Sequence, residues 1–172
     1  IKWVLGTLPP LLLGALRFAL AFAPAALIIA RPPVAWRVLA AYGVLIGAGQ
    51  FGLLFIAMRA DITPGLASLV IQTQVFFTIG LAMALAGERV RGFQWLALGL
   101  AAAGLVLIAA HTDAGTTPLG LALVLLAALC WAAGNLVAKR AGRVDMLGFM
   151  VWSSLFAAPP LALLSLWFEG PQ

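Results

Sequence analysis

Charge is scarce in this sequence. Only 9% of its 172 residues are Asp, Glu, Lys or Arg, against roughly a quarter in an ordinary soluble domain. A single cysteine, Cys130, excludes an internal disulfide framework. That cysteine and the one histidine, His111, offer too few ligands for a metal cluster, so no metal and no cofactor is expected. There is no GxSxG or HExxH, and no nucleophile beside a base at membrane depth, which argues against an intramembrane enzyme. No initiator Met or secretory leader opens the chain, and it closes on Glu169-Gly170-Pro171-Gln172 directly after an apolar run, as a fragment would.

What is present is hydrophobicity, 65% of residues with a mean hydropathy of +1.14, which places the chain in the membrane class. Six apolar runs of bilayer-spanning length can be drawn, at 8–30, 38–58, 62–87, 92–110, 119–138 and 146–168. They are too long and too uniformly apolar for the alternating strands of a membrane barrel, so the fold class is an all-α polytopic membrane protein. Run 62–87 is long enough that it must tilt, kink or emerge. The net charge of +5 comes from scattered Lys and Arg, which points to basic loops at a membrane and not to nucleic acid. Loops on one side hold Arg31, Arg37, Arg89, Arg91, Lys139, Arg140 and Arg143; the other side holds Lys2 and Arg59. This bias assigns the first set to the cytoplasm.

The first and last segments are alike: Lys2 aligns with Lys139, and Pro24 with Pro160 after a one-residue shift. Five spans separate the lysines, so a duplicated unit would be inserted upside down, an architecture common in secondary transporters. The stretches LPPLLLGALRFALAFAPAALIIARP, GQFGLLFIAM, PGLASLVIQTQVFFTIGLAMALAGERV, QWLALGLAAAGLVLI and WAAGNLVAKRAG resemble the EamA family of the drug/metabolite transporter superfamily, and within it bacterial O-acetylserine/cysteine exporters. The resemblance implies a bundle of ten helices in two inverted five-helix units. Residues 1–113 would be the first unit, lacking most of its first helix. Residues 114–172 would start the second, and the six runs would be helices two to seven. It also implies a multi-pass protein of the bacterial inner membrane exporting a small metabolite.

Depth selects the candidate substrate-binding residues. Arg17, Gln50, Gln72 and Gln74 sit near the centres of three runs, the level at which such carriers bind substrate. Arg17 costs about 2.5–3.5 kcal/mol to insert at a helix centre, and no run contains an Asp or Glu to offset it. It is either a cationic contact for a carboxylate or an Arg bonded to helix carbonyls and glutamine side chains. On an ideal helix Gln72 and Gln74 point to nearly opposite sides, Gln72 with Ser68 and Gln74 with Thr78. One is then expected to line the pathway, with Gln72 favoured and Phe76 as an apolar wall, while the other bonds a neighbouring helix. Trp131, Asn135 and Lys139 share a helical face; in the family a similar pattern occurs near the first helix of each unit. Trp131 is a candidate cavity wall and Asn135 a candidate substrate contact, set against packing for the first and snorkelling for Lys139. Ser153 and Ser154, one of which occupies the repeat position of Arg17, complete the set. A passive channel would show polar rings along its path, whereas polarity here gathers at one depth. Gly43 and Gly47, Gly99 and Ala103, and Ala128 and Ala132 are spaced for close helix approach. Pro24 and the Pro159-Pro160 pair are expected to kink their helices.

Overall fold

The computed structural model describes residues 9–59, 61–87, 92–109 and 116–170. Lys2, Glu88, Arg89, Arg91, His111 and Asp113 lie outside them. The described residues form helices and no strands: α1 (Pro10–Phe22), α2 (Trp36–Ala57), α3 (Pro64–Val70 and Gln74–Ala86), α4 (Gly92–Ala109), α5 (Pro118–Arg140) and α6 (Met146–Phe168). Five stretches are long and apolar enough to span a bilayer, and α4 adds a shorter apolar helix.

Local chemistry sets the helix ends. Thr63 and Thr117 each precede a proline at the first helical position, and their side chains accept from Leu66 and Gly120 N–H groups. Asp145 accepts from Leu147 and Gly148 N–H at 3.1 and 3.0 Å. These contacts satisfy donors that would otherwise be orphaned at a helix start. Gly87 closes α3 at φ +65°, a left-handed conformation that disfavours any side chain. Pro24 follows the end of α1 and opens a 3₁₀ turn, Ala25–Leu27, whereas Pro159 and Pro160 stay inside α6.

Two helices depart from regular α geometry. α2 widens into a π-helix at Leu45–Gly52, a segment carrying Gly47, Gly49 and Gly52. α3 tightens into a 3₁₀ turn at Ile71–Thr73. The glycines admit neighbours on both sides of α2. A Cβ on Gly43 would lie 2.3 Å from the Ser153 carbonyl oxygen and one on Gly47 2.7 Å from Ala157 Cα, while one on Gly49 would lie 2.8 Å from Cys130 Cβ. Helix α2 is therefore wedged between α6 and α5 with its backbone close to both. Ala128 and Ala132 of α5 are fully buried.

Leu27, Ile28 and Trp167 are each more than 80% exposed, and Phe93, Leu96 and Leu100 of α4 are 67–68% exposed. Such exposure is untenable in water and ordinary against acyl chains. At one end of the bundle, Glu169 accepts from the Leu11 and Leu12 N–H groups at 2.9 and 3.1 Å. Arg59 donates to the Phe168 carbonyl, and Thr117 donates to Asp61 at 2.8 Å. At the other end, Val34, Leu39 and Phe149 pack with Ala138, Ala141 and Val144.

Candidate functional site

Between the two ends lies a pocket of about 150 Å³, lined by Arg17 and Phe18 of α1, Tyr42, Gly43, Ile46 and Phe51 of α2, and residues 150, 153, 154 and 157 of α6. Its place in the bundle follows from the packing around it. Phe18 belongs to the Leu11, Ala15 and Leu161 cluster towards the Glu169 end, and Tyr42 to the Val34, Leu39 and Phe149 cluster towards the basic end. The pocket is held where those two clusters meet.

Arg17 lies about 10 Å along α1 at 1.5 Å per residue. Its guanidinium sits 4.4 Å from the Phe51 ring centroid and 4.9 Å from that of Phe18. The two rings meet edge to face at 5.7 Å. Arg17 is exposed, a setting in which a cation–π contact is worth about 0.5–1 kcal/mol, so two of them offset part of the roughly 2.5–3.5 kcal/mol insertion cost. They leave the N–H donors uncommitted, because a ring face supports the cation without accepting a directional bond. Among the described residues Arg17 forms no ion pair.

Ser153 supplies the second polar group. It is 2% exposed and its hydroxyl has no hydrogen-bond partner among the described residues. Ser154 beside it donates back to the Met150 carbonyl at 2.8 Å, the usual way a membrane helix satisfies a serine. Leaving a buried hydroxyl unsatisfied costs about 1–3 kcal/mol, a cost that a solute accepting from it would remove.

A separate polar group joins α3 to α5. Asn135 donates its amide to Gln74 Oε1 at 3.3 Å and to Thr78 Oγ1 at 3.4 Å, and Thr78 donates to Gln74 Oε1 at 3.2 Å. Gln74 and Thr78 thus act from one face of α3. Gln72 falls in the 3₁₀ turn and is exposed, and Phe76 is half-buried on α3. Gln50 is buried in the π-helix, 7% exposed, and Trp131 packs on the cluster of Ala57, Ile62 and Ala67. The pocket thus unites three of the nine sequence-predicted residues, Arg17, Ser153 and Ser154, and Gln74 and Asn135 meet elsewhere. The aromatic lining was missed: Phe18 and Phe51 each follow a singled-out residue, and Tyr42 is the only tyrosine of the chain.

Comparison with known proteins agrees with this architecture. Residues 1–110 match the EamA-like transporter family. A probable amino-acid metabolite efflux pump of Salmonella typhimurium LT2 is 41% identical over 99% of this chain and 59% of its own length. Its namesake in Escherichia coli K12 is 38% identical over the same shares. A protein described as an uncharacterized inner membrane transporter of E. coli K12 is 26% identical over 91% of the chain and 56% of its own length. The chain therefore spans about 59% of the two pumps it matches. No solved structure matches it. With its family model, spanning helices and inner-membrane relatives together, the chain belongs to the EamA-like transporter family and is a multi-pass protein of the inner membrane.

Proposed function

We propose that the protein is a secondary transporter exporting small amino-acid-derived metabolites, of the size of cysteine or O-acetylserine, by alternating access. The observation that carries this is the Arg17 guanidinium, supported on two aromatic faces and lining a pocket that also holds the unpartnered Ser153 hydroxyl. A guanidinium with free donors is suited to a carboxylate. The pocket's roughly 150 Å³ is about half the lower end of the range for drug-sized sites, which favours a small metabolite over a drug within the same superfamily. The two similar proteins, each a probable amino-acid metabolite efflux pump, support the same reading.

Residues 1–113 would form one unit and 114–172 the start of a second, inverted one. The basic end, with Arg31, Arg37, Lys139, Arg140 and Arg143, would face the cytoplasm. Gln74 and Asn135 would hold α3 and α5 together, with the solute contacts made by Arg17 and Ser153. Counterflow of labelled O-acetylserine and cysteine into proteoliposomes of the intact protein tests this. Saturable uptake accelerated by unlabelled solute inside is expected; flux that never saturates would mark a passive channel, and no flux would end the proposal.

A further inference from the structure

The three helices that line the pocket, α1, α2 and α6, are tied together at both ends, and the two ends use different chemistry. At the basic end the ties are rings. Phe22 of α1 and Trp36 of α2 each meet Trp152 of α6 edge to face, at 5.5 and 6.0 Å, and Tyr42 of α2 meets Phe149 of α6 at 4.9 Å. The Trp152 indole N–H also donates to the Ile29 carbonyl at 3.1 Å. At the other end the ties are polar, and all of them run through the last turn of α6. Glu169 divides its two oxygens between the first N–H groups of α1, Leu11 on Oε1 and Leu12 on Oε2, and Ser165 donates to Oε2 at 2.7 Å. Arg59, just past the end of α2, donates to the Phe168 carbonyl. The buried core between these ties and the pocket is small, made by Leu11, Ala15 and Leu161.

We propose that the last turn of α6, Ser165–Glu169, is the gate through which the Arg17 pocket opens away from the basic end, with the ring cluster as the pivot that stays packed. This rests on the alternating-access reading above and adds the place where the outer face parts. The difference in exchange cost is its physical basis. A helix N–H, a carbonyl and a carboxylate at a membrane surface each trade a protein partner for water at small net cost, so the polar end parts and recloses readily. Separating packed rings exposes apolar surface that water does not repay. Glu169 holds α1 and Arg59 holds α2, so releasing either one frees one wall of the pocket from α6. With the basic end in the cytoplasm, this gate is the periplasmic one, the side on which an exporter releases its solute.

Side-specific labelling of a thiol in the pocket tests the gate. The intact protein carries Met150→Cys on the pocket wall as reporter and Cys130→Ala to remove the native thiol. A charged, membrane-impermeant maleimide is added to right-side-out or inside-out vesicles, with no solute present. Glu169→Ala and Arg59→Ala are each expected to raise the labelling rate from the periplasmic side roughly two- to thirtyfold, the range that losing a helix cap gives, and to lower it from the cytoplasmic side. Glu169→Gln keeps one of the two acceptor oxygens and should fall between. Thr117→Val serves as the comparison for simple loss of stability. It breaks the tie to Asp61 at the same end and uncaps α5, no described residue of which lines the pocket, and it should leave the ratio of the two rates unchanged. Labelling that rises equally from both sides, stays unchanged in Glu169→Ala and Arg59→Ala, or responds as strongly to Thr117→Val would overturn the gate, and saturable counterflow of O-acetylserine or cysteine would then leave the exporter standing. Labelling as expected with no saturable counterflow would keep the gate and end the amino-acid cargo.

Discussion

The guanidinium of Arg17 and the ring of Phe51, on two different helices, are 4.4 Å apart, and this contact fixes where the one charge of the pocket is presented. Phe51 sits in the π-helical segment of α2, directly after the buried Gln50. A π-helix turns more slowly per residue than an α-helix, so the side chains after it are re-aimed, and such segments are frequent at functional sites. Replacing Phe51 by Leu keeps the bulk and removes the ring face. A loss of about 0.5–2 kcal/mol of cation–π support is expected, seen as weaker solute binding with little change in melting temperature. Arg17→Gln should reduce transport far more, to near the level of empty liposomes, while Arg17→Lys retains a measurable fraction.

Gly43 and Gly47 predict a sharp steric threshold. Even alanine at Gly47 places a carbon 2.7 Å from the Ala157 backbone, and at Gly43 one 2.3 Å from the Ser153 carbonyl. Overpacking of this kind costs about 1–3 kcal/mol. Gly47→Ala should lower the melting temperature of the detergent-solubilised protein. Gly99→Ala in α4, where an added Cβ meets nothing within 4 Å, should leave it unchanged.

The two glutamines of α3 should behave differently. Gln74 accepts from both Asn135 and Thr78; Gln72 is exposed. Interhelical bonds in membranes average about 0.6 kcal/mol, so Gln74→Ala or Asn135→Ala should shift stability modestly, and the double mutant should cost less than the sum. Gln72→Ala should be silent in thermal unfolding. A large transport defect in Gln72→Ala with unchanged stability would instead return that side chain to the solute path.

Glu169 predicts a long-range cap. Helix α1 begins at Pro10 with no side-chain cap of its own, and the carboxylate that serves its first N–H groups comes from the end of α6. Glu169→Ala should destabilise by about 0.5–2 kcal/mol, the range for losing a helix cap. Hydrogen exchange should show it as faster exchange in the first turn of α1 before any change in α5.

The helical class and the spans were legible because hydrophobic length alone determines them. Predicted runs 38–58 and 146–168 meet the observed Trp36–Ala57 and Met146–Phe168 almost end for end. The small residues at Gly43 and Gly47 also declared themselves by spacing, as did the shared face of Gln74 and Thr78. The pocket was only half visible. Depth ranks polar residues by cost and says nothing about which way they point. Helix geometry set Gln72 and Gln74 on opposite sides and favoured Gln72 for the pathway, whereas in the structure Gln72 is exposed in a 3₁₀ turn and Gln74 is the one bonded to Asn135. The aromatic support of Arg17 was hidden because Phe18 and Phe51 look like ordinary lipid-facing residues in one dimension. The placement of Phe51 depends on the π-helix, whose wide turn has no period that a sequence pattern would reveal.

Gly43, Ser153 and Ala157 take part both in the tightest seam between α2 and α6 and in the pocket wall. Evolution therefore has few free choices in reshaping what the cavity accepts. A change at any of these three alters solute fit and helix spacing together, whereas Ile46, Met150 and Phe51 belong to the wall without closing that seam. Homologues that have diverged in cargo should carry their differences at the latter positions, with the former kept small.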